Sequence, residues 1–370
     1  MSFEKLFESD KLTKRERVER TVNMQSVDRV ALHEQLSYNP DVISYYLKKE
    51  IKGYNFTKED IGQLVQKTLD LSFPVFEPYG LGHEVKPNGF EYRLDNWTKW
   101  LYKRPFTDEH GACDWLKTEI KLLEETLRDF DPANERKEYH AYIAEQQSYI
   151  GETVLMDWSI MTRFCEIFDK MGLEIFTFFY LEYPDVMERF MELSTEYSCR
   201  KVLAAGDNSL TPVVLIAEDF CSKTGPIFSP ETLYHIHYPY LKRLTEAWHD
   251  VGLKVIYHTD GDFRAVIPDL LACDVDGFYC LERSCNMHIE KLAIQYPDVI
   301  WAGGVDGVRT MEFGTPADVR EEVLRIIDET EALTRGGILI DSSSEINPTI
   351  PVAAFEAMVN AVDERRNPDF

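Results

Sequence analysis

Through its second half the chain alternates short apolar runs with longer amphipathic stretches, and this alternation limits the possible folds more than any other feature. Pro212-Val-Val-Leu-Ile-Ala217 is apolar throughout, the pattern of a parallel strand covered on both faces. Ser229-Pro230-Glu231 follows, a Ser N-cap with Pro at the first helical position. The helix it starts carries Leu233, Ile236, Tyr240, Leu241, Leu244 and Trp248 along one side, with a kink predicted at Pro239 and a stop at Gly252. Next, Leu253–Tyr257 reads as a strand and Phe263–Ala272 as a helix, then Gly277–Leu281 as a strand and His288–Gln295 as a helix. Val299–Ala302 is a further strand. It precedes the capping box of Thr315-Pro316-Ala317-Asp318, whose helix shows Val319, Val323, Ile326 and Ile327. Gly337–Ile340 and Val352–Val362 complete the last of five strand–helix units.

The first half is less regular. Val30–His33 and Phe73–Phe76 read as strands around a helix capped by Thr57-Lys-Glu-Asp60, and a third strand is expected between Ala141 and Met156. Residues 1–28 read as an N-terminal helical extension, and Ser159–Ala205 as a helical insert broken at Tyr183-Pro184. Eight strands with helices between them predict an α/β fold. The expectation is one (β/α)8 TIM-type barrel domain over residues 1–370, with extra helices in its first half. The rival is an open doubly wound sheet, but no GxGxxG or P-loop run supports a nucleotide-binding version of it.

Lys and Arg total 40 against 65 Asp and Glu, a formal charge of −25. Such a surface repels phosphate backbones and anionic bilayers, so neither nucleic acid nor a membrane is an expected partner. No apolar run approaches the roughly 18 residues that span a bilayer. Met1–Glu19 has no apolar stretch of a secretory signal. The seven scattered cysteines form no CxxC pair, which predicts reduced thiols and a cytoplasmic location.

In a barrel of this type chemistry gathers at the C-terminal ends of the strands. Those ends read His33-Glu34-Gln35, Glu77-Pro78-Tyr79, Glu218-Asp219, His258-Thr259-Asp260-Gly261-Asp262, Glu282, Asp306 and Asp341-Ser-Ser-Ser-Glu345. His258 and Asp260 stand two apart on one strand end and so point the same way. With Asp219 and Glu282 they are the candidate catalytic residues. Glu34, Gln35, Tyr38, Glu77, Tyr79 and Asp306 are candidate substrate contacts. Three readings of His258 and Asp260 stay open: zinc ligands completed by Glu218 or Glu282, a proton-transfer imidazole oriented by a carboxylate, or a structural pair in the rim. Lys223, in Ser222-Lys-Thr-Gly225, reads as a solvated loop residue or as a cation placed over the site. His235, His237 and His249 read as packing or surface residues on their helix.

The chain resembles the uroporphyrinogen decarboxylase superfamily. The resemblance rests on Glu218-Asp-Phe220, Gly225-Pro-Ile-Phe-Ser-Pro-Glu231, Pro239-Tyr-Leu-Lys-Arg243 and Gly252-Leu-Lys-Val-Ile-Tyr-His-Thr-Asp-Gly261. It continues in Asp276–Glu282, Gly303-Gly-Val-Asp306, Gly314-Thr-Pro316 and Gly336-Gly-Ile-Leu339. It covers Thr211–Val362 well and the first 80 residues loosely, and it implies the same barrel. The resemblance also implies either tetrapyrrole decarboxylation or corrinoid-linked methyl transfer. The decarboxylases carry an Arg-rich stretch after strand one, where this chain has Leu32-His-Glu-Gln-Leu-Ser-Tyr-Asn-Pro40 with no Arg. The thiol-methylating members hold zinc by His-x-Cys and a distant Cys, where this chain has His258, Asp260 and Ser344. With these departures the resemblance points to the demethylating branch. It implies a methyltransferase passing methyl from a small methoxylated aromatic substrate to a separate, cobalamin-carrying corrinoid protein, with zinc as Lewis acid and with a homodimer possible. The alternatives are a decarboxylase or lyase of the family's founding type and a non-catalytic corrinoid-docking protein.

Overall fold

A computed structural model describes residues 6–36 and 39–370. Strand β1 spans Ala31–Glu34 and β2 spans Leu71–Ser72. Strands β3 (Leu81–Val85), β4 (Glu91–Asp95) and β5 (Thr98–Lys103) form a separate antiparallel sheet. After β6 (Val154–Leu155) come β7 (Val213–Ala217), the two-residue strands β8 (Cys221–Ser222) and β9 (Gly225–Pro226), and β10 (Lys254–His258). Strands β11 (Gly277–Leu281), β12 (Ile300–Gly304) and β13 (Ile338–Asp341) finish the chain's sheet residues.

Eight of these strands pair in parallel in the order β6-β2-β1-β13-β12-β11-β10-β7. The two outermost strands are joined by a parallel bridge between Asp157 and Val214, with the Leu215 N–H donating to the Asp157 carbonyl at 2.9 Å. The sheet thus curls onto itself as the TIM-type barrel that the alternation predicts.

Two apolar clusters separate the inside of the barrel from its outer wall. Ala31, Leu71, Val154, Met156, Val213, Leu215, Ile256, Ile300, Ala302 and Leu339 fill the interior. Val18 and Val22 of the helix Lys14–Val22 join them. Val30, Leu32, Val214, Ile216, Val255, Tyr257, Ile338 and Ile340 pack instead among the surrounding helices. Side-chain direction alternates along a strand, so this division fixes which residues at each strand end can face the barrel mouth.

Most helix starts follow the sequence signals. Capping boxes close on Thr57 with Asp60 and on Thr315 with Asp318, and Ser229 Oγ accepts the Thr232 N–H. Pro239 does more than kink its helix. It has no N–H to give the preceding turn, and the run splits at His237 into Pro230–Ile236 and Tyr238–Asp250. Several expectations need correction. The second strand is Leu71–Ser72 rather than Phe73–Phe76, while the third, expected between Ala141 and Met156, is found there as Val154–Leu155, after the helix Pro132–Ile150. Residues 159–205 contain three helices, Phe164–Met171, Leu173–Glu182 and Pro184–Ala205, with an additional break at Gly172. The sheet β3–β5 was not expected at all. Its strands are exposed or half-buried throughout, and only Glu91–Asp95 shows a short apolar alternation, at Tyr92 and Leu94.

Candidate active site

The inward positions one step above the apolar interior are His33, Phe73, His258, Tyr279 and Asp341. His33 and Asp341 are fully buried, and His33 Nδ1 lies 2.6 Å from Asp341 Oδ2. The His33 ring meets Phe73 edge-on at 4.6 Å between centroids and Tyr279 at 5.4 Å. Tyr279 in turn packs against His258 at 5.2 Å, and Trp158 stacks on Phe73 at 4.6 Å. Phe76 extends that stack. The Tyr279 hydroxyl donates to the Ser344 carbonyl at 3.0 Å, tying β11 to the loop after β13. Two buried ring nitrogens in this layer, His33 Nε2 and His258 Nδ1, meet no partner.

Burial sets the electrostatics here. It pushes the His33 imidazole down to about 3, so the ring stays neutral. It holds the Asp341 carboxyl well above the usual carboxylate range. Glu34 is also held well up, first by burial and then by the neighbouring Asp341 charge. Glu34 points away from the mouth, accepting the Gln35 N–H at 3.0 Å and the Ser342 N–H at 2.9 Å. Gln35 Nε2 reaches Glu345 at 3.2 Å, and burial pushes that carboxyl up to about 7.

Around the rim the structure brings His258, Asp260 and Asp219 together. Asp219 Oδ1 accepts the Asp260 N–H at 2.9 Å and the Thr259 hydroxyl at 3.3 Å. Asp260 is exposed at the rim, yet loss of water around its carboxyl raises it, with His258 pulling the other way and Asp219 adding to the rise. Glu282 borders the same loop, accepting the Gly261 N–H at 3.2 Å and the Cys285 thiol at 3.3 Å.

Other expected residues lie elsewhere. Glu218 shares the outward parity of Val214 and Ile216, and is buried against the start of the helix Phe164–Met171. There it accepts the Thr162 hydroxyl, the Arg163 N–H at 2.9 Å and the Cys165 N–H at 2.7 Å. Asp306 is buried and caps its own loop, accepting N–H groups of Val308 at 3.1 Å, Arg309 at 2.7 Å and Ser284 at 2.9 Å. Glu77 and Tyr79 are exposed on the way into β3. Tyr38 lies outside the described residues.

Zinc at a catalytic site needs three protein ligands and an open position. His258 offers a free nitrogen and Asp260 a carboxylate, but Glu218 is engaged by three donors. Among the described residues, the one trio of such side chains with ligand atoms within 4.8 Å of one another is Glu109, His110 and Glu182. That trio includes none of His258, Asp260, Glu218 and Glu282. Among the described residues, those at the mouth therefore do not fit a three-ligand zinc site.

Sequence reasoning named His33 and Asp341 as strand-end residues but gave neither a role. The signal lay in their parity with Ala31 and Leu339. Phe73, Trp158 and Tyr279 were not singled out, since aromatic residues are abundant in any large core.

A family model described as uroporphyrinogen decarboxylase (URO-D) matches residues 157–365, more than half of the chain. No curated protein matches the sequence. Among solved structures, a methyltransferase from Methanosarcina mazei superposes with a TM-score of 0.64 at 17% identity, covering 96% of this chain and 99% of that one. A type I 3-dehydroquinate dehydratase from Clostridium difficile matches at 11% identity and a TM-score of 0.37, covering 92% of this chain and 94% of that one; it carries no argument. Among the described residues no helix is long and apolar enough to cross a membrane.

Proposed function

Because the chain belongs to the uroporphyrinogen decarboxylase family, we propose that it is an enzyme of that family's methyl-transferring kind. It takes a methyl group from a small methoxylated aromatic substrate and passes it to a corrinoid protein in the cytoplasm. The observation that carries this reading is the composition of the barrel mouth. Its inward layer is His33, Phe73, His258, Tyr279 and Asp341, with Trp158 stacked on it, and none of these six is a Lys or Arg. A polycarboxylated tetrapyrrole needs cations to replace the water it loses. A neutral aromatic ring needs flat apolar walls and a few polar groups, which this layer offers. The superposition on a methyltransferase agrees with this choice.

In this reading the aromatic stack orients the ring of the substrate, and His258 with Asp260 and Asp219 sits where the methoxy group meets the acceptor. The corrinoid supplies the nucleophile that receives the methyl group. The test is spectroscopic: purified enzyme, a panel of methoxybenzenes and chemically reduced cobalamin, with the absorbance of the methylated product followed over time. Substrate-dependent methylation, lost in His258→Ala, is the expected result. No methylation across the panel, together with carbon dioxide release from a carboxylated substrate, would replace this reading with the decarboxylase one.

A further inference from the structure

Packing does not account for His33. Its ring fills a fully buried space between Phe73 and Tyr279 that a phenylalanine would fill without loss of hydration. Imidazole surrenders water at both nitrogens there. Nδ1 regains a partner in Asp341 at 2.6 Å, while Nε2 regains none. A buried polar atom left without a partner calls for a ligand or a chemical role. A carboxyl group behind one ring nitrogen is also the arrangement that fixes the tautomer and aims the other nitrogen.

We propose that His33 is the proton donor of the barrel mouth, held by Asp341 as its positioning residue, and that it protonates the oxygen from which the methyl group departs. The inference rests on the methyl-transfer reading above. Burial keeps His33 neutral and favours the protonated form of Asp341. The Asp341 O–H then donates to Nδ1, which leaves the ring proton on Nε2. During transfer the carbon–oxygen bond of the methoxy group breaks and the oxygen keeps its electron pair. The methyl carbon receives a new pair from the reduced corrinoid acceptor. The Nε2 proton passes to the oxygen as the Asp341 proton moves to Nδ1, leaving a neutral imidazole beside a carboxylate. One proton from solvent reloads the pair. At the rim Gln35 Nε2 donates to Glu345, whose carboxyl burial raises to about 7. The titratable groups facing the pair are Glu34 on β1 and Tyr279 and Cys280 on β11; Phe73, beyond β2, brings no charge.

Two measurements decide this, and they separate its failure from failure of the methyl-transfer reading. In His33→Phe, methyl transfer to reduced cobalamin should fall about 100-fold or more for a simple methoxybenzene. The loss should shrink for nitro-substituted methoxybenzenes, whose phenolate leaves without a proton. A merely structural residue would slow every substrate alike, and that outcome overturns the proposal while leaving the function intact. Nitrogen-15 NMR of the wild-type protein reads the dyad without any substrate. The expected His33 signals are those of a neutral ring protonated at Nε2 from pH 5 to 8, a tautomer no longer fixed in Asp341→Leu, which has no donor for Nδ1. A ring that takes up a proton in that range, or carries its proton on Nδ1, overturns the proposal whether or not methyl transfer is found.

Discussion

Replacing Glu218 with alanine removes the only acceptor shared by the Thr162 hydroxyl and the Arg163 and Cys165 N–H groups. The two N–H groups open the helix Phe164–Met171, whose N-terminus has no other side-chain cap. Stranding a buried donor costs about 1–3 kcal/mol, and the Thr162 hydroxyl can rotate to another acceptor. Two stranded amides therefore cost about 4 kcal/mol, reduced slightly because burial disfavours the carboxylate they serve. Glu218→Gln keeps one carbonyl oxygen and turns an NH2 toward a donor, for a loss of about 2 kcal/mol. Unfolding entropy near 2.1 cal/mol/K per residue gives about 0.8 kcal/mol/K for 370 residues. The expected drops in melting temperature are about 5 °C for alanine and about 2.5 °C for glutamine. Scanning calorimetry measures both, and hydrogen exchange at Arg163 and Cys165 locates the damage. An alanine variant that melts within about 1 °C of the parent, with unchanged exchange, would refute the capping role and return Glu218 to the candidate ligands.

His237 predicts a pH dependence with a definite sign. Burial lowers its pKa to about 3. The unfolded chain therefore binds a proton that the folded chain refuses between about pH 6.5 and pH 3. Stability should fall through that window on acidification, by up to about 1.4 kcal/mol per pH unit from this residue. His237→Phe should flatten the urea-midpoint profile there, and an unchanged slope would remove His237 as its source. Gly261 has φ of +79°, and a Cβ on it would lie 2.3 Å from the Ser222 carbonyl oxygen. Gly261→Ala should displace the loop that carries Asp260 while leaving the barrel folded. Methyl transfer should fall at least tenfold with far-ultraviolet circular dichroism unchanged, and full activity would show that the loop tolerates the shift.

The barrel was legible because buried parallel strands leave apolar runs and their helices leave caps, and Pro212–Ala217 with Ser229-Pro230 shows both signals. The first half was harder to read because β2 and β6 have only two residues each, too few to display a period. The strand ends that ring the mouth were legible, but not which neighbour at each end faces inward. A strand end names a pair of neighbours, and only the parity of the strand says which one faces the mouth. At β10 His258 and Asp260 were read as pointing the same way from their spacing of two, and His258 has the inward parity of Ile256. At β1 the charge of Glu34 drew attention from His33, and at β7 Glu218 was named as a ligand beside Asp219 although only Asp219 reaches the rim.

That error has a physical basis. Glu34 and Glu218 both face outward, where each accepts backbone N–H groups at the start of a loop or helix. A carboxylate suits that task because it is an acceptor with two oxygens and no donor of its own. The inward partners differ. His33 with Asp341 forms a pair that can both give and take a proton, and the surrounding aromatic rings keep it out of water. Barrel rims of this kind therefore place two sorts of carboxyl side by side, one holding the loops and one serving the mouth. Composition cannot separate them, but the hydrogen bonds of the outward set can. If Glu34 is structural, Glu34→Gln should lower the melting temperature by about 1–3 °C through its contacts to Gln35 and Ser342. It should leave the rank order of methoxybenzene substrates unchanged, whereas a reordered substrate series would place Glu34 in contact with the substrate after all.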